Sequence, residues 1–146
     1  MQRSDNTIHN ICLAAIRRAT IKPYDFRWTR FYETGDDHLA AYPWLEIAMA
    51  GPEQLICSVI IGADQYSLLT TRRLITMAQG NLTSGSLMHA LDKGYGDFKG
   101  YQQSPWTMGS ILSADGTALP YFIETGRASM VMIYGVRTCI GMRRTG

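Results

Sequence analysis

Asp97 and Lys99, two apart in the phrase YGDFKGY, would share one face of a strand and are the closest the chain comes to an acid–base pair. Opposite charges alternating on an exposed strand face are the ordinary structural outcome of such spacing, and that outcome is expected here. Asp92, Asp97 and Asp115 match no calcium-loop spacing, so a cation site would need the fold to gather them. His9, His38 and His89 are scattered in the same way, and structural or surface roles are expected for all three. The chain lacks a Gly-rich phosphate loop closed by Lys-Ser or Lys-Thr, a G-x-S-x-G elbow and a helical His pair flanking a Glu. Cys12, Cys57 and Cys139 are odd in number, widely separated and set in apolar runs. That pattern predicts buried free thiols in a reducing compartment, not a zinc site or a disulfide framework. No catalytic residue, metal or cofactor is assigned from the sequence.

Binding chemistry is more legible. The stretch 21–32, IKPYDFRWTRFY, carries Tyr24, Phe26, Trp28, Phe31 and Tyr32 together with Arg27. Aromatic and arginine side chains dominate the energetics of protein interfaces, so these six form a candidate partner-binding strip. The same residues would serve equally as the wall of a barrel, and their spacing does not choose between the two roles. Aromatics alternate with Asp25 and Arg27 over residues 24–28, which predicts a strand there. Asp36 and Asp37 join the candidate surface; with Asp64 they would steer a basic partner.

A chain of 146 residues, 46% hydrophobic and 18% charged, is sized and composed for a single globular domain spanning 1–146. Its net charge of +2 hides a pattern: residues 1–30 hold six basic and two acidic side chains, residues 31–126 four and ten, and residues 127–146 four and none. Basic ends flanking an acidic middle neutralise one another on folding, whereas a nucleic-acid binder concentrates its basic residues in a stripe. No nucleic-acid partner is therefore expected. The N-terminal segment has too short and interrupted an apolar centre for a signal peptide, and the apolar run 128–142 contains Arg137 and falls short of a bilayer span. A cytoplasmic protein is the expectation.

Three segments must position these residues: an N-terminal helical and aromatic preface over 1–50, an antiparallel β body over 51–126 and a C-terminal helix over 127–142. Ser4 or Asp5 caps a first helix to about Ala19, in which Ile8, Ile11, Cys12, Ala15 and Ile16 recur on one face. A second helix starts after Asp36 or Asp37, with Pro43 kinking or restarting it. Strands are expected at 53–61 and, as one unbroken run, at 65–77, where apolar residues of both parities suit a bulge or barrel corner. Residues 79–85 read as loop, and 86–101 as a strand pair or bent strand. Strands at 105–112 and 119–124 are joined by Ala114, Asp115 and Gly116, with Pro120 marking a sheet edge. The final helix is apolar around most of its circumference, so it is buried or shared with a second chain as a homodimer seam.

In EQLICSVIIGADQYSLLTTRRLITM a Glu-led strand precedes one ending in the phrase Leu69, Thr70, Thr71, Arg72, Arg73, Leu74. This resembles the opening strands of bacterial pleckstrin-homology-like (PH-like) domains, and the resemblance extends over residues 52–144. It implies an α+β fold of PH-like type: an antiparallel β-barrel or strongly bent sheet whose open end is plugged by the C-terminal helix, serving as a binding scaffold. Phosphoinositide-binding members gather Lys and Arg around the loop between the first two strands. The matching loop here, Gly62, Ala63, Asp64 and Gln65, has no basic residue.

The leading expectation is a non-catalytic cytoplasmic protein-interaction module, in its most specific form an immunity-type inhibitor of a partner toxin. The alternatives are a peripheral membrane or lipid-binding PH-like module acting through the basic ends, and an enzyme with a pocket of dispersed residues.

Overall fold

The structure, a computed structural model, describes residues 4–33, 42–45 and 47–144, the side chain of Arg144 apart. Asp36, Asp37, His38 and much of the expected second helix lie outside the described residues.

Helix α1, Asp5–Ala19, forms where its caps and spacing place it. Ser4 Oγ accepts the Thr7 N–H at 3.1 Å, Asp5 sits in the first turn, and Arg17 and Arg18 sit in the last, where they oppose the helix dipole. Two antiparallel sheets follow. The larger is ordered β1-β2-β3-β4-β5, from Thr29–Phe31, Leu55–Gly62, Gln65–Thr70, Arg73–Ala78 and Asn81–Ser86. The smaller is ordered β6-β7-β8, from Leu91–Tyr95, Trp106–Leu112 and Ala118–Glu124. A 3-10 turn, Gly126–Ala128, leads into helix α2, Ser129–Arg144. The fold is thus α+β with a C-terminal helix, and its described strands form two sheets, not one closed barrel.

Register gives the large sheet two apolar faces. Cys57, Val59, Leu69 and Leu74 face the main core, which they share with α1, α2 and β8. Ile60, Tyr66, Leu68 and Ile75 face the other way, into a smaller core covered by Tyr32, Tyr42, Leu45 and Ile47. Coverage on both sides is why β2 and β3 carry apolar side chains of both parities. Helix α2 buries Val131, Met132, Ile133, Val136, Cys139 and Ile140 within this one chain, against α1 and the sheets, and leaves Tyr134 exposed.

Four expectations are corrected. Residues 65–77 form two strands, because the chain turns at Thr71 and Arg72. Residues 81–86 form β5 instead of a loop, since Gln79 and Gly80, at φ of 52° and 80°, make a tight two-residue turn back onto β4. Residues 24–28 are irregular, and the strand lies at Thr29–Phe31. Residues 47–50, between Pro43 and the Gly51-Pro52 turn, are not helical. The hairpin at Asp115 and Gly116 forms as expected, and Pro120 lies on β8, which among the described residues is an edge strand paired with β7.

Candidate functional site

The fold divides the strip 24–32 between wall and surface. Tyr32 is buried in the smaller core, its hydroxyl 2.7 Å from Ser58 Oγ, and burial pushes that phenol up to about 12. Phe26, Trp28 and Phe31 are half-buried against the main core. Tyr24 stands outside them, with its ring centre 5.0 Å from that of Phe31 and 6.2 Å from that of Phe26. Arg27 is exposed, its guanidinium 4.4 Å from the centre of the Trp28 ring.

An irregular segment holds these groups because a distant carboxylate fixes its backbone. Glu124, the last residue of β8, accepts the Arg27 N–H at 2.9 Å through Oε2, and the Trp28 N–H at 2.8 Å and Thr29 hydroxyl at 2.7 Å through Oε1. The Ile60 N–H adds a bond to the Trp28 carbonyl at 3.0 Å, and Arg127 pairs with Asp25 at 2.9 Å. Nothing in the local sequence marks Glu124 for this role. Arg17, Arg18, Lys22 and Arg27 are exposed along α1's last turn and this segment, Arg17 paired with Glu33, whereas Arg30 is exposed on the other face of β1, its guanidinium 5.6 Å from the centre of the Tyr42 ring.

The Leu-Thr-x-x-Arg phrase forms an ionic corner. Thr70 Oγ1 accepts the N–H groups of Arg72 and Arg73 at 3.1 and 3.0 Å and donates to Glu53 Oε2 at 2.5 Å. Arg73 reaches both Glu53 oxygens, at 2.9 and 3.3 Å, and also the Ala48 carbonyl. On the opposite side, Asp5 Oδ1 accepts the Thr71 hydroxyl at 2.5 Å, and Arg72 donates to both Asp5 oxygens at 3.0 Å. Burial acts to raise both carboxyls, but the hydrogen bonds of Arg72 and Thr71 to Asp5, and of Arg73 and Thr70 to Glu53, outweigh it and hold both below their ordinary values. The two arginines do face opposite ways, each toward its own carboxylate, and their charge is spent on holding the fold.

The residues weighed for chemistry have separate duties. Asp97 accepts the N–H groups of Tyr101 and Gln102 at 3.1 and 2.6 Å and so closes its own loop, while Lys99 lies 6.0 Å from the Phe98 ring centre. Asp92 accepts the Tyr95 hydroxyl at 2.7 Å, and Asp115 bonds Ser113 and Thr117 within the β7–β8 turn. Among the described residues, no three His, Cys, Asp or Glu side chains are grouped to hold a metal ion. His9 is buried in α1, and His89 is exposed in a turn. The three cysteines are buried and unbridged; burial pushes the Cys57 thiol up, and a hydrogen bond with Cys12 together with burial does the same for Cys139. No described helix is long and apolar enough to cross a membrane.

Fold and site together define an α+β domain in which Tyr24 and Arg27 are exposed on a segment whose backbone is bonded to Glu124. Comparison with protein-family models, curated proteins and solved structures found no match for the chain.

Proposed function

We propose that this chain is a non-catalytic protein-interaction module whose recognition face is built on Tyr24, Arg27 and Trp28, and that its partner offers an acidic surface. The observation that carries this reading is the Glu124 clamp under the Arg27–Trp28 pair. It holds an arginine and aromatic rings ready at the surface, so little conformational entropy is lost on docking. Exposed Arg18, Lys22 and Arg27 favour an acidic partner over the basic one suggested by Asp36 and Asp37. An immunity-type inhibitor of a toxin is the specific form of this proposal. The PH-like kinship belongs to it too, supported by the run of antiparallel strands β2–β8 followed by one apolar helix.

A photo-crosslinking residue placed at Tyr24 tests the proposal in cells. A discrete adduct from Tyr24, and none from an equivalent probe at Lys93 on β6, is the expected result. Adducts from Lys93 and none from Tyr24 would overturn it. The same basic residues favour one second reading, docking on an anionic membrane. Salt-sensitive co-sedimentation with phosphatidylserine vesicles, lost in Arg27→Glu, would move the assignment there.

A further inference from the structure

Among the described residues the large sheet ends at β5, an unpaired edge with the sequence NLTSGS, without a charge or a proline. Natural proteins usually blunt an exposed edge with such residues, because its unpaired N–H and C=O groups invite another strand. The Leu87 N–H bonds the Arg72 carbonyl at 3.1 Å, which fixes the alternation of the β4–β5 ladder. Asn81, Thr83 and Gly85 bond inward to β4, and the backbone groups of Leu82, Ser84 and Ser86 face outward.

Their side chains are exposed as well. Leu82, near the start of the strand, is 58% exposed, a large apolar group standing in water. Near the strand's other end lies an open groove of about 440 Å³ whose walls include Ala48, Ala50, Ser86 and the ion-paired Glu53, Arg72 and Arg73. Both features lie on the face that carries Ile75 and Met77, because Leu82 pairs with Met77, Ser84 with Ile75 and Ser86 with Arg73.

We propose that β5 pairs with β5 of a second copy of this chain, antiparallel about a twofold axis at Ser84. In that register Ser84 meets the partner's Ser84, and Leu82 of the partner falls opposite Ser86, over the groove. Each copy supplies an apolar knob at one end of the strand and a hollow at the other, the self-complementarity that a twofold interface requires. An unrelated peptide would satisfy the same backbone groups, but only a second copy uses knob and hollow together. The uncharged strand also lets identical edges meet without repulsion. The two sheets become one, and α2 plays no part in the contact.

Sedimentation velocity of the full chain over a range of micromolar concentrations tests this. A species of twice 16.3 kDa is expected. Leu82→Lys, which puts a charge at the knob, is expected to weaken the dimer at least tenfold; so is Ser84→Pro, which removes an outward N–H and no bond to β4. Tyr134→Ala, on the exposed strip of α2, should leave it intact. Should Ser84→Pro not fold by circular dichroism, Leu82→Lys decides alone. A chain that stays monomeric throughout, or a dimer indifferent to Leu82→Lys, would overturn the proposal.

Discussion

Arg143, near the end of α2, donates its Nε and Nη2 to the carbonyl of Thr71, in the turn between β3 and β4, at 2.9 and 2.6 Å. Its Nη2 also lies 3.4 Å from Asp5 Oδ1, so one buried guanidinium joins the start of α1, the sheet and the end of the chain. Arg143→Met strips that carbonyl of its strongest donor and removes one of two cations beside Asp5. Chemical denaturation should show a loss of about 2–4 kcal/mol. A loss under about 0.5 kcal/mol would mean that the corner does not hold the helix.

The same corner sets an acid limit. The Asp5 and Glu53 carboxyls lie below their ordinary 3.8 and 4.5 in the folded protein, despite burial, because Arg72, Arg73 and the two threonines bind the charged forms. A depressed folded value contributes stability that is complete above the unfolded values and is lost as pH falls through the folded ones. Denaturation midpoints should therefore be flat between about pH 6 and 7 in this respect and fall steeply below about pH 4. Asp5→Asn together with Glu53→Gln should lower stability at neutral pH and flatten the acid limb. An unchanged acid limb in the double variant would place the effect elsewhere.

Glu124→Ala should loosen residues 27–29, removing the acceptor for two N–H groups and one hydroxyl. Amide exchange at Arg27 and Trp28 should rise, with a stability loss of about 1–3 kcal/mol. Glu124→Gln keeps one acceptor oxygen and should fall between the two. Unchanged exchange at Trp28 in the alanine variant would show that packing alone fixes the segment.

Two glycines of α2 should respond to alanine with opposite signs. At Gly135 an added Cβ would stand 3.0 Å from both Cys57 Sγ and Leu69 Cδ2, whereas at Gly141 nothing lies within 4 Å. Gly135→Ala should cost about 1–3 kcal/mol through overpacking, and Gly141→Ala should gain about 0.5–1 kcal/mol from helix propensity. Equal effects by thermal denaturation would contradict the close passage of α2 over β2 and β3.

Where local chemistry decides the structure, the sequence was readable. The Ser4 cap and apolar stripe placed α1, Asp115 and Gly116 placed the β7–β8 hairpin, and Pro120 marked an edge. The break at Thr71 and Arg72 was hidden, because a turn without glycine or proline is held by carboxylates from Asp5 and Glu53, far away in the chain. Strand β5 was hidden for a related reason: Asn81 and Gly85 are poor strand formers, and pairing with β4 makes the segment a strand. At the candidate site the aromatic strip was visible as composition. Its division was not: Tyr32 is buried against Ser58 of β2, and the backbone at Trp28 is held by Glu124, neither of which a local pattern marks.

The central claim is that Tyr24 and Arg27 form a preorganised recognition face, and titration calorimetry with the protein captured at Tyr24 tests it most directly. Tyr24→Ala with Arg27→Glu should weaken binding by about 2 kcal/mol or more, while Lys93→Glu on β6 leaves it unchanged. Equal affinity for the wild-type chain and the Tyr24, Arg27 double variant, both folded, would contradict the account.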